Sequence, residues 1–148
     1  MYILAIDQGT TSSRCVIYDL NANVVAQASQ EFKQHFRHPG WVEHDAMEIF
    51  ETVVSTFHQV LEKAKLNPAQ IKTIGITNQR ETTVLWDKST GLPVAPAIVW
   101  QSRQSSKICD SIRDAGHLEN IRAKTGLLPD PYFSASKLTW LFEQHPEL

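Results

Sequence analysis

Apolar positions fall in short blocks at the start of the chain and in a helical rhythm further on. Residues 2–6, Tyr-Ile-Leu-Ala-Ile, form an apolar run long enough for one buried strand. The run stops at Asp7, and Gln8, Gly9, Thr10, Thr11, Ser12 and Ser13 read as a turn of small and hydroxylated residues. Residues 14–18 alternate well enough to be the hairpin partner, and residues 24–28 follow a second turn as a third strand. The opening is therefore a three-stranded meander. The stretch 31–44 is polar and holds His35, His38 and His44, whose spacing matches no standard metal-ligand pattern and predicts a solvated loop. Asp45 to Glu48 reads as a capping box. Ile49, Phe50, Val53, Val54, Phe57, Val60, Leu61 and Ala64 then recur at helical spacing, until Asn67-Pro68 ends the helix.

Residues 71–77 predict a strand with Asn78-Gln79-Arg80-Glu81 at its carboxyl end. Residues 82–86 predict another strand closed by a turn through Asp87 and Gly91, and residues 97–100 a short buried one. Ile108, Cys109, Ile112 and Ala115 mark the buried face of a helix that Gly116 can cap, and residues 117–124 a further short helix. After a rigid turn at 129–133, a last helix starts at Ser134 or Ser136 with Leu138, Leu141 and Phe142 inward. A meander followed by alternating strands and helices predicts an α/β fold, a mixed sheet with helices on both faces. Ligands bind such sheets outside the carboxyl ends of the strands, so parallel strands would bring Asp7, Arg80-Glu81 and Trp100 to one crevice.

A chain of 148 residues suffices for one domain with a real core, but not comfortably for two. The net charge of −2 carries no basic excess of the kind nucleic acid would call for. No apolar run approaches the roughly 20 residues that cross a bilayer, and the N-terminus enters a strand directly without a secretory leader. Cys15 and Cys109 lie far apart in apolar surroundings and read as buried free thiols, so the expected location is cytoplasmic.

Two clusters carry chemistry. At the first turn, Gly9 lets backbone approach a ligand, and successive turn amides can form an anion-binding concavity. Thr10, Thr11 and Ser12 add hydroxyls, and Arg14 adds a charged fork suited to phosphate. Asp7 repels phosphate unless a cation lies between them, which is the usual position of Mg²⁺. The stretch reads as a nucleotide phosphate site with a metal, although no Walker lysine follows; a plain hairpin with a polar turn is the alternative. In the second cluster Arg80 and Glu81 pair a donor fork with an acceptor, as each hydroxyl of a small polyol requires. Trp100 and Tyr132 would supply the apolar wall, the alternative being a surface ion pair beside two core aromatics.

Asp7-Gln-Gly-Thr-Thr-Ser-Ser-Arg14, Pro39-Gly-Trp-Val-Glu-His-Asp45, Gly75-Ile-Thr-Asn-Gln-Arg-Glu-Thr-Thr83, Ile98-Val-Trp-Gln-Ser-Arg103 and Asp130-Pro-Tyr-Phe-Ser134 run in order along the whole chain. Together they resemble the glycerol-phosphorylating members of the FGGY carbohydrate kinases. That family lies within the superfamily of actin, the heat-shock ATPases and hexokinase, so the resemblance implies a ribonuclease H-like fold, here incomplete. It implies ATP and Mg²⁺ as cofactors and ATP-dependent phosphorylation of glycerol to glycerol 3-phosphate. Thr10, Thr11, Ser12 and Arg14 match residues that hold ATP phosphates, and Asp7 matches the carboxylate near Mg²⁺, in contact directly or through water. Arg80, Glu81, Trp100 and Tyr132 match the glycerol pocket. The family's general base is an aspartate beyond Leu148, and its adenosine site lies in a second domain. The chain therefore resembles the N-terminal portion of the first kinase domain (residues 1–148), holding half of each site and inactive by itself. Asp130 precedes Tyr132, but it reads as a turn residue and matches a non-catalytic position. The resemblance also implies a homo-oligomer at full length. An FGGY kinase for another polyol or ketose, and a non-catalytic actin-like nucleotide-binding module, are the alternatives.

Overall fold

The computed structural model describes residues 1–148. Its strands are β1 (Tyr2–Gln8), β2 (Ser12–Tyr18), β3 (Val24–Glu31), β4 (Gln34–His35), β5 (Glu43–His44), β6 (Ile71–Thr77) and β7 (Ala97–Ile98). Its helices are α1 (Ala46–Ala64), α2 (Ser106–Asp114), α3 (Leu118–Thr125) and α4 (Ser134–Gln144), with a 3-10 turn at Pro68–Gln70. By its contacts the chain divides into two compact units: Met1–Lys33 with Asp45–Gln79, and Gln34–His44 with Arg80–Leu148. No helix is long and apolar enough to cross a membrane.

The first unit is a four-stranded sheet in the order β3-β2-β1-β6 with α1 packed against it. The meander is antiparallel, and β6 joins β1 in parallel. Leu4, Cys15, Ile17 and Ala28 from the sheet meet Val60 and Leu61 of α1 to form the core. The first strand runs on past Ile6 to include Asp7 and Gln8, so the turn shrinks to residues 9–11. Asp45 caps α1 as expected, accepting from the amides of Met47 and Glu48 at 2.8 and 3.2 Å. The capping box does not form in the expected way, because Glu48 instead accepts from the amide of Lys33 at 3.0 Å.

The buried face of α1 also differs from the apolar stripe. Phe50 and Val54 are exposed, whereas Thr52, Thr56, Val60 and Leu61 are buried. Thr52 directs its hydroxyl proton to the Ile49 carbonyl, so the 2.9 Å contact with Ser13 Oγ has Ser13 as donor. Thr56 likewise donates to the carbonyls of Thr52 and Val53, leaving the Cys15 thiol to donate to it at 3.4 Å. Burial pushes the Cys15 thiol above its ordinary pKa and keeps it neutral. The helix thus meets the sheet through a ladder of hydroxyls beside its leucine and valine contacts.

In the second unit the polar stretch is not a solvated loop throughout. Its ends pair as β4 and β5, β7 completes an antiparallel three-stranded sheet, and Glu43 and His44 are buried. Residues 82–86 form no continuous strand; isolated bridges join Thr83 to Ile98 and Trp86 to Pro93. The turn after them is held by Asp87, which accepts from the amides and hydroxyls of Ser89 and Thr90 and is thereby acidified. The Ser102 hydroxyl accepts from the Val42 amide at 3.1 Å, and Ser105 meets Ser136 at 2.9 Å between α2 and α4. On α4, Leu141 is buried as expected, Phe142 is 51% exposed, and Lys137 is wholly buried.

Thr52→Val should leave the Ser13 hydroxyl buried without its acceptor and cost about 1–3 kcal/mol in urea unfolding. Ser13→Ala combined with Thr52→Val should cost less than Thr52→Val alone. A double variant whose loss equals the sum of the two single losses would show that the hydroxyls do not act as a pair.

Candidate functional site

In the first unit the hairpin register makes Asp7 and Arg14 direct cross-strand partners. Such partners share a face and approach closely, and the guanidinium donates to Asp7 Oδ2 at 2.7 Å. Both side chains are about half exposed, at 41% for Asp7 and 53% for Arg14. Extending each strand by one or two residues from its apolar block would have revealed this pairing. Because β6 is parallel to β1, Thr77 stands beside Asp7 at the carboxyl ends of the two strands.

The turn itself is tighter than a generic loop. The Gly9 amide donates to the Ser12 carbonyl at 3.0 Å, so it is committed within the turn and does not add to an anion-binding concavity. A Cβ at position 9 would lie 3.2 Å from that same oxygen, which is why a glycine fits here. Thr11 is exposed, Thr10 and Ser12 are half-buried, and the Thr11 carbonyl accepts from Phe32 at 3.3 Å. The hydroxyls of Thr10, Thr11 and Ser12 and the guanidinium of Arg14 thus lie within one turn and the first residues of β2. The Gly9 carbonyl accepts from the side-chain amides of Gln8 at 2.7 Å and Gln79 at 3.0 Å. The Gln79 backbone amide in turn reaches Gln8 Oε1 at 3.3 Å. Gln79, buried at the exit of β6, therefore clamps the turn, a role that the residue pattern alone did not indicate.

In the second unit Trp100 and Tyr132 come together edge to face, with ring centroids 5.9 Å apart and planes at 69°. Trp100 follows β7, which belongs to an antiparallel sheet, so the parallel-strand argument that placed it at a shared crevice does not reach it. Its amide donates to Thr82 Oγ1 at 3.3 Å. Arg80 is exposed, and Glu81 is half-buried with a left-handed backbone at φ 61°. Tyr132 is 38% exposed. Asp130 accepts from the Tyr132 amide at 2.8 Å and from Arg103 at 3.3 Å, so it shapes the turn that presents the tyrosine.

The residue that ties this cluster together is Lys137. Its Nζ donates to the Glu81 carbonyl at 3.0 Å and to the Tyr132 carbonyl. Burial lowers its pKa to about 8, while the nearby carboxylates of Glu81 and Asp130 oppose that shift. Its spacing from Leu141, one helical turn, was the available signal that it shares the inward face of α4.

Neither unit contains a group of three or more His, Cys, Asp or Glu side chains able to hold a metal. A lone carboxylate such as Asp7 nevertheless fits Mg²⁺ that arrives with phosphate, because phosphate oxygens and water supply the other ligands.

Residues 2–148 match the family model described as the N-terminal domain of the FGGY family of carbohydrate kinases. A glycerol kinase from Alcanivorax borkumensis is 55% identical over 145 residues, covering 98% of this chain and 29% of that protein. The crystal structure of Plasmodium falciparum glycerol kinase with ADP superposes with a TM-score of 0.93 at 37% identity, over 99% of this chain and 29% of that one. A gluconate kinase from Lactobacillus acidophilus gives a TM-score of 0.88 at 25% identity, again over 99% of this chain and 29% of the other. The mixed α/β architecture is thus that of the sugar kinases, an actin- and hexokinase-like ATPase fold. The chain spans less than a third of the length of these curated relatives.

Because the Asp7–Arg14 pair is half exposed, its removal should cost little stability. Asp7→Ala should change the unfolding free energy by less than about 1 kcal/mol in urea titration. A larger loss would make the pair a structural element.

Proposed function

The chain belongs to the FGGY family of carbohydrate kinases, and on that premise we propose that the intact protein transfers the terminal phosphoryl group of ATP to glycerol. The product is glycerol 3-phosphate. The observation that carries this reading is the assembly of Trp100, Tyr132 and Glu81 in one unit, on a chain 55% identical to a glycerol kinase. A three-carbon polyol has one apolar edge and three hydroxyls. The two rings fit the edge, and the Arg80 fork and the Glu81 carboxylate fit the hydroxyls as donor and acceptor. Assembly alone, as in an actin-like module, requires no such arrangement.

The phosphate half of the reading rests on the first turn. Thr10, Thr11, Ser12 and Arg14 would hold phosphate oxygens, and Asp7 would orient Mg²⁺ directly or through its water. The ion pair with Asp7 keeps Arg14 at the turn, where an arriving phosphate could take over its guanidinium. Mg²⁺ would draw negative charge from the phosphate oxygens. Phosphoryl transfer depends chiefly on positioning and electrostatics, so donors fixed on a rigid hairpin are well suited to it. ADP in the crystal structure of the Plasmodium relative supports the nucleotide assignment.

Residues 1–148 form the N-terminal portion of the first kinase domain in this reading. Ile74 and Ile76 support it, since they are 49% and 73% exposed on the edge strand β6, where further chain would add. The general base and the adenosine site would come from that further chain, and the portion described here would not turn over alone. Closure of the two kinase domains would keep water from the transferring phosphoryl group. Both cysteines are buried and free, which suits a cytoplasmic enzyme. A homo-oligomer at full length remains part of the proposal.

In the full-length enzyme Arg80→Ala should raise the glycerol KM by roughly tenfold or more, and an unchanged KM would remove Arg80 from the pocket. Asp7→Ala should lower kcat by roughly a hundredfold with little change in glycerol KM. A normal kcat at saturating Mg²⁺ would overturn the role of Asp7. Gluconate and xylulose should be poor substrates beside glycerol; the reverse preference would make this a sugar-acid or ketose kinase of the same family.

A further inference from the structure

Lys137 is the most deeply buried ionisable side chain in the second unit, and it touches neither a phosphate turn nor a carboxylate at hydrogen-bond distance. Its contacts are two backbone carbonyls, those of Glu81 and Tyr132. These residues come from separate loops, one after β6 and one before α4. Glu81 adopts a left-handed backbone that a residue with a Cβ avoids without support, and its carbonyl is one of the two oxygens that Lys137 holds. Tyr132 is fixed on its other side by Asp130, through its amide. A buried ammonium is costly unless its donors are satisfied, so an apolar residue would serve packing better at this point of α4.

We propose that Lys137 is a positioning residue for the polyol: it sets the distance between Glu81 and Tyr132 by binding their backbone carbonyls, and leaves both side chains to the ligand. The inference rests on the assignment of Glu81 and Tyr132 to the glycerol pocket. Lys137 is too deeply buried to contact substrate and acts through these two residues. It links the acceptor of a polyol hydroxyl to the aromatic wall that Trp100 completes.

The charge on Lys137 offers a readout that general damage does not mimic. The groups facing it are Glu81 and Asp130, both carboxylates, and the Cys109 thiol of α2. Its pKa in the folded protein is lowered to about 8. Below that value the ammonium makes charge-assisted bonds to both carbonyls, and above it the neutral amine makes weaker ones. Folding stability moves the other way. The unfolded chain keeps its proton to higher pH, so this group makes folding more favourable as pH rises through the window above about 8. Glycerol binding should therefore weaken while this lysine contributes no loss of stability.

The test uses the full-length enzyme at about pH 7 and about pH 9, with the KM of glycerol and of ATP measured in parallel. In the wild type, glycerol KM should rise by roughly threefold or more between the two pH values, while ATP KM stays within about twofold. Lys137→Met should raise glycerol KM roughly tenfold at the lower pH, leave ATP KM within about twofold, and remove the further rise at the higher pH. Glycerol and ATP KM rising together in the variant, or an unchanged glycerol KM, would overturn the proposal. If the variant does not fold, the wild-type comparison decides, and a flat glycerol KM overturns it. Arg80→Ala in the same series separates the two levels. If only Arg80→Ala affects glycerol KM, the positioning role fails; if neither substitution does, the polyol pocket itself fails.

Discussion

The register of the β1–β2 hairpin is the constraint on which the first unit depends. Side chains alternate along a strand, so a one-residue slip of β2 against β1 would turn every β2 side chain to the opposite face. In the observed register Leu4, Cys15 and Ile17 face α1, while Asp7 and Arg14 meet on the other face. Such a slip would drive the Arg14 guanidinium toward the leucine and valine contacts, away from Asp7, and bring Cys15 and Ile17 out of the core. The Gly9 amide bonded to the Ser12 carbonyl fixes the turn, and the two glutamine amides on the Gly9 carbonyl hold it from β1 and from the exit of β6. A single three-residue turn therefore decides both where the core lies and where charge is displayed.

The second unit is organised differently. Its sheet is short, two residues in each strand, and it cannot define a surface by pairing alone. Buried polar side chains do this work instead. Ser102 holds the Val42 amide, Ser105 holds Ser136, and Lys137 holds two carbonyls. Such contacts have narrow geometric tolerance, and leaving one of them unmade in the interior is costly. They specify the shape of this unit more sharply than apolar packing alone would.

Much of this was legible in the residue pattern, because long periodic segments and strong caps report local physics. The strand at residues 71–77, the Asp45 cap and the final helix follow from apolar rhythm and turn chemistry, and of the strand expected at 97–100 only Ala97–Ile98 forms. The failures share one cause: the partners are distant in sequence. Thr52 and Thr56 lie outside the expected apolar stripe, and their burial follows from Ser13 and Cys15 facing them. Glu43 and His44 read as solvated until β4 and β7 paired with β5. Lys137 drew no assignment from the residue pattern, because its two carbonyl partners carry no side-chain signature. For the candidate site, the residue types were readable from the sequence, and the structure brings Trp100 to Tyr132 and ties Glu81 to Tyr132 through Lys137. The Asp7–Arg14 pairing was within reach of the strand pattern, whereas the Gln79 clamp and the lysine tether needed coordinates. The family resemblance rested on five motifs in order, and the match over residues 2–148 agrees with it.

The open flank of β6 has a consequence for how such a chain is made. Ile74 and Ile76 are exposed on an edge strand whose outer ladder has no partner within the described sheet. During synthesis the meander and α1 can close over sequence-local contacts, but β6 then waits as a templating edge until something covers it. In that interval the hazard is another nascent chain pairing with the same edge. Loss to such pairing is then set by how long the edge stays open, a matter of time rather than of folded-state energy.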